Sequence, residues 1–355
     1  MEFEGILEKA RNREITEQEA LFLFENAKDW IRVSQLLQTA SYVRDKEVGR
    51  VFKLKVFALS SNKGCRTNPP CRYCGQSSRD SKQRFFTYPA NPEEVAEAAR
   101  IADEAGFMGV QLGGGCSGFK GAEAVEDAKI VKSVAPDLEI FVNYGADMSE
   151  ENIIKLKELG VERIGCSFET INEELFRKIK PGDSLKERMR VAELIDKHGV
   201  GLVSVMMIGI GESYKDRVNH IFYLKRFKNL KRISVSGFLP IRGTPMENDP
   251  PATSIDIAKT IAITRLVHRN IDLSGSFGRD DQLQLWIMAG TNMRTIHGMF
   301  EPIHRVERVK FRGDVRKISD RFVFINSLPI YIKMIEEMGL KPGLRLNRRG
   351  DDKCA

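Results

Sequence analysis

Apolar residues recur along this chain at two different spacings. Up to residue 48 the spacing is helical, as in "ITEQEALFLFENA", where Thr16 and Glu19 stand at capping-box distance before an apolar stripe. From there on, short apolar runs that read as buried strands alternate with amphipathic stretches. The strand-like runs cover 52–60, 109–112, 139–142, 163–168, 202–208, 232–239, 272–276 and 293–297. Helical stretches lie between them, among them 92–104, 150–159, 185–197 and 254–268. Many strand runs end in glycine, and a helix-opening polar residue follows. Strand-helix alternation repeated in this way predicts the α/β class and a parallel (β/α)8 TIM-type barrel. The expected organisation is an N-terminal helical extension over 1–48, the barrel over 49–300, and a C-terminal extension over 301–355 whose basic, glycine-containing end reads as disordered. No linker, internal repeat or low-complexity block calls for a second large domain.

Composition adds constraints. The 355 residues are 42% hydrophobic and 30% charged, the balance of a globular protein, with a net charge of +7. Basic residues are spread along the chain, with mild clusters near 305–321 and 345–349. No nucleic-acid recognition motif accompanies them, so they read as solvated faces. The acidic N-terminus lacks the apolar core of a signal peptide, and no apolar run reaches the ~18 residues of a membrane span. The expectation is a cytoplasmic protein with neither nucleic acid nor membrane as partner. Thiols stay reduced in that compartment, so clustered cysteines there point to metal or redox chemistry.

Such a cluster exists in "CRTNPPCRYCGQSSR", residues 65–79, which follows the first predicted strand and so falls in a βα loop, where barrels of this class place their chemistry. Cys65, Cys71 and Cys74 supply three thiols and no fourth. A closed structural zinc site needs four ligands, and no second Cys-x-x-Cys pair is present. Three thiolates on one short loop suit a cubane iron–sulfur cluster with one iron left open. A zinc site completed from a distance stays open at this point. Cys116, Cys166 and Cys354 stand alone.

Taken with this loop, several further motifs resemble the radical S-adenosylmethionine (SAM) superfamily, and within it the biotin-synthase-like branch. "QLGGGCSG" places Gly113, Gly114 and Gly115 where that family turns a glycine backbone toward the SAM amino group. "GCSFET" places Glu169 at the family's acidic position, with Ser167 on the same face by strand alternation. In "SLKERMRVAE", Arg188 matches the arginine that clamps the SAM carboxylate. In "VSVMMIGIGES", Met207, Gly209 and Glu212 match the fifth-strand pattern, with Val205 in place of its first glycine. "GFLPIRGTP" puts Leu239, Pro240 and Ile241 beside the adenine edge, and Tyr73 fills the aromatic position before the last cysteine. The resemblance runs over roughly residues 15 to 300. It implies a [4Fe–4S] cluster, SAM, a 5′-deoxyadenosyl radical that abstracts hydrogen from a small-molecule substrate, and a low-potential electron donor of ferredoxin or flavodoxin type.

One departure is distinctive: five residues separate the first two cysteines, where the superfamily usually has three. This spacing, with "SYVRDKEVGRVFKL", is similar to the radical SAM enzymes of [Fe]-hydrogenase iron-guanylylpyridinol cofactor biosynthesis in methanogens. Sulfur insertion of the biotin-synthase kind is not expected, because Gln111, Phe141, Val203 and Asp272 stand where its second cluster is held. Alternatives are a methylornithine-synthase-type rearrangement and a scaffold or sensor that binds cluster and SAM without catalysis. Asn143, Tyr144, Arg242, Arg279 and His297 fall at strand ends and are the candidates for substrate contact. His198, His220, His268, His297 and His304 show no metal-ligand spacing.

Overall fold

The structure is a computed structural model and describes residues 2–77, 79, 88–275, 279–308 and 313–345. Three helices come first: α1 (Phe3–Ala10), α2 (Glu17–Asn26) and α3 (Trp30–Glu47). Thr16 and Glu19 form the reciprocal capping box at the start of α2 that their spacing predicts. The strands and helices then alternate: β1 (Val51–Phe57), α4 (Pro92–Glu104), β2 (Gly109–Gly113), α5 (Ala122–Val134), β3 (Glu139–Asn143), α6 (Glu150–Glu158) and β4 (Arg163–Gly165). Two helices follow, α7 (Glu173–Ile179) and α8 (Leu185–Lys197). After them come β5 (Gly201–Ile208), α9 (Tyr214–Tyr223), β6 (Leu230–Gly237), α10 (Ser254–Val267), β7 (Asp272–Ser274), α11 (Leu283–Met288) and β8 (Met293–Ile296).

Strands β1 to β7 pair in chain order, all parallel, and β8 returns to the free side of β1. Asn292 bridges β7 and β8: its backbone N–H donates to the Leu273 carbonyl (3.2 Å), and its side-chain oxygen accepts from the Leu273 N–H (2.8 Å). The result is the expected α/β architecture, a parallel (β/α)8-type barrel ringed by helices.

Alternation along each strand sorts the side chains. Leu54, Val56, Val110, Leu112, Ile140, Val142, Ile164, Leu202, Ile233, Leu273 and Ile296 point outward and are fully buried under the helices. Each contributes about 1.5–3 kcal/mol by leaving water. The lower lumen is polar instead. Ion pairs fill it: Lys55 with Glu139 (2.5 Å), Lys53 with Asp272 (2.8 Å), and Arg163 with Asp272 (2.7 Å).

Residues beyond 300 fold back onto the barrel. Strands β9 (Phe300–Pro302), β10 (Asp314–Lys317) and β11 (Phe322–Asn326) form a small antiparallel sheet. Helix α12 (Leu328–Glu336) follows, and β12 (Lys341–Gly343) adds to the start of β1 in parallel. The basic end and Cys354 lie outside the described residues. Among the described residues, no helix is long and apolar enough to cross a membrane.

Candidate active site at the barrel mouth

The loop after β1 crosses the C-terminal mouth of the barrel. At its near end the Cys65 N–H donates to Gln76 Oε1 (3.0 Å), and the Arg66 N–H donates to the Cys116 carbonyl beyond β2 (2.8 Å). At its far end the Arg72 N–H donates to the carbonyl of Ile179, the last residue of α7 (2.8 Å). Cys71 and Cys74 share a turn closed by the Cys74 N–H and the Cys71 carbonyl (3.4 Å). All three thiols are free of disulfides. Burial raises the Cys71 thiol and pushes Cys74 up to about 11, whereas hydrogen bonding from Cys116 brings Cys65 down to about 6. Buried thiols held neutral by desolvation are stabilised as thiolates by a metal charge. The loop offers three thiols, one short of a closed zinc site and the number that a cubane cluster with one open iron takes.

The glycines after β2 explain how the loop sits so low. A Cβ on Gly113 would strike the Asn143 backbone, one on Gly114 would strike Asn62, and one on Gly115 would lie 2.6 Å from the Cys65 Cβ. Their carbonyls each accept one side-chain donor, from Ser60, Gln76 and Asn62 respectively. Each oxygen keeps a second lone pair.

Strand alternation does not hold through the "GCSFET" segment. The regular ladder ends at Gly165, and one extra residue is then accommodated. The Cys166 N–H donates to the Val203 carbonyl, and the Glu169 N–H three residues later donates to the Val205 carbonyl. This is a bulge, which re-aims the side chain that follows it. Glu169 takes a left-handed conformation (φ 63°) that a non-glycine residue rarely holds. Its Oε1 lies 3.7 Å from Lys180 Nζ, while Oε2 is buried without a hydrogen-bond partner among the described residues. Cys166 faces the helices, donating its thiol to the Arg188 carbonyl (3.1 Å).

Arg188 lies on α8 but is buried, not solvated. Its Nε and one terminal nitrogen donate to Asp183 Oδ2 (2.9 and 2.5 Å), and the other terminal nitrogen donates to the Ser167 carbonyl (2.6 Å). A guanidinium has five N–H groups, so each terminal nitrogen retains one with no partner among the described residues. A Cβ at Gly145 would lie 3.4 Å from that group, so the absent side chain keeps the approach clear.

Across the mouth, Leu175, Ile179, Ile210, Phe238 and Met246 form an apolar wall on which Tyr73 and Met207 pack. Glu212 holds the turn after β5, accepting from the backbone N–H groups of Gly209 (3.0 Å) and Ile210 (2.9 Å). Leu239, Pro240 and Ile241 are half-buried beyond β6.

The substrate candidates separate. Asn143 faces the lumen over Gly165, and His297 stacks on Phe57 with ring centroids 4.8 Å apart. His297 also lines a cavity of about 150 Å³ shared with Gly113, Tyr88, Phe300 and Arg305. Tyr144 is a correction: it points outward, is fully buried, and its hydroxyl donates to Asp127 on α5 (3.0 Å). The strand has ended one residue earlier, so the inward position belongs to Asn143. Arg242 is exposed at the rim, and Arg279 is tied to the Ala252 carbonyl (2.9 Å). Sequence reasoning missed Asp183, Lys180, Asn62 and Gln76, which hold the named residues in place. Only Gln76 carries a signal, its place in "CGQ" directly after the third cysteine.

Residues 59–224 match the radical SAM superfamily. An uncharacterized protein of Methanocaldococcus jannaschii is 38% identical over 364 residues, which cover 98% of this chain and 91% of that protein. The biotin synthase of Coxiella burnetii is 30% identical over 67% of this chain and 76% of its own length. Among solved structures, methylornithine synthase superposes with a TM-score of 0.79 at 22% identity, covering 97% of this chain and 99% of its own. The [FeFe]-hydrogenase maturase HydG of Carboxydothermus hydrogenoformans gives 0.76 at 19% identity, covering 96% and 79%. At such identities the structures speak for the fold, and the sequence relatives carry the assignment: this chain belongs to the radical SAM superfamily, in the branch that contains biotin synthase, and is an enzyme that uses a [4Fe–4S] cluster and SAM.

Proposed function

We propose that the enzyme binds its cluster through Cys65, Cys71 and Cys74 and acts on a small-molecule precursor in the assembly of the pyridinol of the [Fe]-hydrogenase cofactor. When bound, the cluster supplies the electron that cleaves SAM to methionine and a 5′-deoxyadenosyl radical. The chain's own residues bind and orient. Arg188 offers its remaining N–H groups to the SAM carboxylate, with Asp183 fixing the plane of the guanidinium. Glu169 accepts from the SAM amino group or ribose through its unpartnered oxygen, and the carbonyls of Gly113, Gly114 and Gly115 add further acceptors. Met207 and Tyr73, with the wall behind them, take one face of the adenine, whose edge meets the backbone of Leu239, Pro240 and Ile241. Asn143 and His297 look onto the substrate. Cys65 and the stretch 68–70 are exposed, which gives a ferredoxin- or flavodoxin-type donor a face to approach.

The observation that carries the SAM reading is the pairing of an unpartnered, buried Glu169 oxygen with an incompletely used, buried Arg188 guanidinium. The pathway reading rests on the Cys-x5-Cys-x2-Cys loop. Its test is anaerobic turnover with deuterated pyridone precursors and mass analysis of 5′-deoxyadenosine. Deuterium in that product is expected from one precursor. Vigorous SAM cleavage with no deuterium from any of them would overturn the pathway reading.

A further inference from the structure

The connection between α7 and α8 brings a cation to the cysteine loop to which neither the cluster nor SAM has yet given a role. Lys180 caps the end of α7 and is only 3% exposed. The carbonyl of Ile179, one residue before it, accepts from the Arg72 N–H (2.8 Å), so Lys180 and Cys71 flank the same backbone hydrogen bond. Burial governs the Cys71 thiol first, and of the charged groups around it Lys180 acts most strongly, ahead of Arg188. At Cys74 burial again comes first, and Lys180 again opposes it.

The ammonium is weakly held by its own surroundings. Its Nζ stands 3.5 Å from Asp183 Oδ2 and 3.7 Å from Glu169 Oε1, and 5.5 Å from the centre of the Phe176 ring. Both carboxylates lie beyond the roughly 2.7–3.2 Å of a good N–H···O bond. Asp183 Oδ2 has closer donors in Arg188, at 2.9 and 2.5 Å. Among the described residues no hydrogen bond closes on Lys180 Nζ, although an ammonium carries three donors. A buried cation in this state is unfavourable unless further negative charge arrives beside it. Lys180 and Arg188 together balance Glu169 and Asp183, so the thiolates of the loop and any electron stored on them are the charge that this group of four does not already offset.

We infer that Lys180 sets the reduction potential of the cluster held by Cys65, Cys71 and Cys74, its buried charge favouring the reduced form. This deepens the proposed function and rests on its reading of those cysteines as the ligands. The charge around an iron–sulfur cluster is one of the levers that place its potential. One electron passes from a low-potential donor of ferredoxin or flavodoxin type to the bound cluster; the donor loses it, and the barrel mouth gains one negative charge. A cation fixed beside Cys71 stabilises that added charge and so raises the potential. Burial keeps the effect from being screened away by solvent and salt. Glu169, which faces the same ammonium, acts in the opposite sense.

The test is an anaerobic potentiometric titration of cluster-reconstituted protein without SAM, followed by electron paramagnetic resonance of the reduced cluster. Wild type is compared with Lys180→Gln, Lys180→Arg and Glu169→Gln, and iron content and SAM affinity are measured on each. At a given potential Lys180→Gln should hold about tenfold less reduced cluster, which for one electron is a midpoint about 59 mV more negative. Lys180→Arg keeps the charge and should titrate near wild type, and Glu169→Gln should move the midpoint upward. Normal iron in Lys180→Gln with an unmoved or raised midpoint overturns the inference. So does a loss of SAM affinity with no change in potential, which would make Lys180 a SAM ligand instead. A Lys180→Arg midpoint as low as that of Lys180→Gln also overturns it, because packing rather than charge would then be at work. Should Lys180→Gln not load iron, Glu169→Gln decides: a raised midpoint supports the inference, and an unmoved one shows that the charges of this connection do not reach the cluster. Full iron content in Cys71→Ala would sink the ligand reading itself, whereas depleted iron there with unmoved midpoints elsewhere sinks only the role of Lys180.

Discussion

Replacing Glu169 with glycine separates two quantities that usually move together, stability and ligand affinity. The wild-type residue holds φ at 63° and buries an oxygen with no partner among the described residues. The left-handed conformation disfavours a non-glycine residue by roughly 1–2 kcal/mol, and an unsatisfied buried acceptor by about 1–3 kcal/mol. Glycine removes both. Against this stand the greater backbone freedom of glycine in the unfolded chain, about 0.5–1 kcal/mol, and the lost packing of two methylenes, about 1.6 kcal/mol. Lys180 loses one carboxylate at 3.7 Å but keeps Asp183 at 3.5 Å. The apo protein should therefore lie between ~0.5 kcal/mol less and ~3 kcal/mol more stable than wild type. On the proposed contact between Glu169 and SAM, the ligand should bind roughly ten- to a hundred-fold more weakly, since a charge-assisted hydrogen bond of ~1.5–3 kcal/mol would be lost. Anaerobic denaturant titration of apo protein gives the first number, and calorimetry of SAM on cluster-loaded protein gives the second. Glu169→Gln, which keeps the backbone strain, should lose affinity without the gain in stability. A glycine variant destabilised by more than ~2 kcal/mol, or one with wild-type SAM affinity, would refute the view that strain here is held for the ligand.

Three further outcomes are expected. Single Cys→Ala changes at Cys65, Cys71 and Cys74 should each abolish SAM cleavage and deplete the roughly four irons per chain of a cubane, while Cys166→Ala should keep them; iron and sulfide analysis after reconstitution checks this. Gly182→Ala should lower cluster loading, because its Cβ would collide with the backbone of Asn68 and Pro69; normal iron content would show that the loop can shift. His220 is buried with neither ring nitrogen partnered among the described residues, and burial brings it down to about 3. The unfolded chain takes up a proton near 6.5 and the folded chain only near 3, so stability falls as pH drops through that window and is unaffected above it. His220→Phe should flatten the acid side of an apo-stability profile between pH 6.5 and 4, and an unchanged slope would refute the assignment.

The eight strands were legible because the outward half of each is a continuous apolar signal. Leu54 and Val56, Ile140 and Val142 mark period two without any knowledge of partners. The inner halves are less readable. Lys53, Lys55 and Arg163 look in sequence like surface positions, and only barrel closure turns them inward against carboxylates from other strands. Arg188 was found by motif, but its burial was not foreseeable, since Asp183 and the Ser167 carbonyl come to it through packing. The bulge before Glu169 adds a residue that no periodicity reveals. The segment beyond 300 looked like a tail partly because β12 reads Lys-Pro-Gly, which has no strand propensity. It pairs beside the first residues of β1, where β2 has not yet begun.

The long gap between the first two cysteines meets the rest of the site at one place. The loop is tied down on both sides, at Cys65 by Gln76 and at Arg72 by the Ile179 carbonyl. Its surplus length is therefore confined to the residues between, of which Asn68, Pro69 and Pro70 are exposed. They do not hang free: Asn68 and Pro69 rest on Gly182, where no side chain could be accommodated. Gly182 lies between Lys180, which faces Glu169, and Asp183, which holds Arg188. The insertion thus braces the short connection between α7 and α8 that sets the two charged groups at the barrel mouth. A three-residue gap would have less chain to reach that connection. On this view the extra length serves the positioning of Glu169 and Arg188 as much as the thiols, and a change at Gly182 should disturb SAM affinity together with iron content.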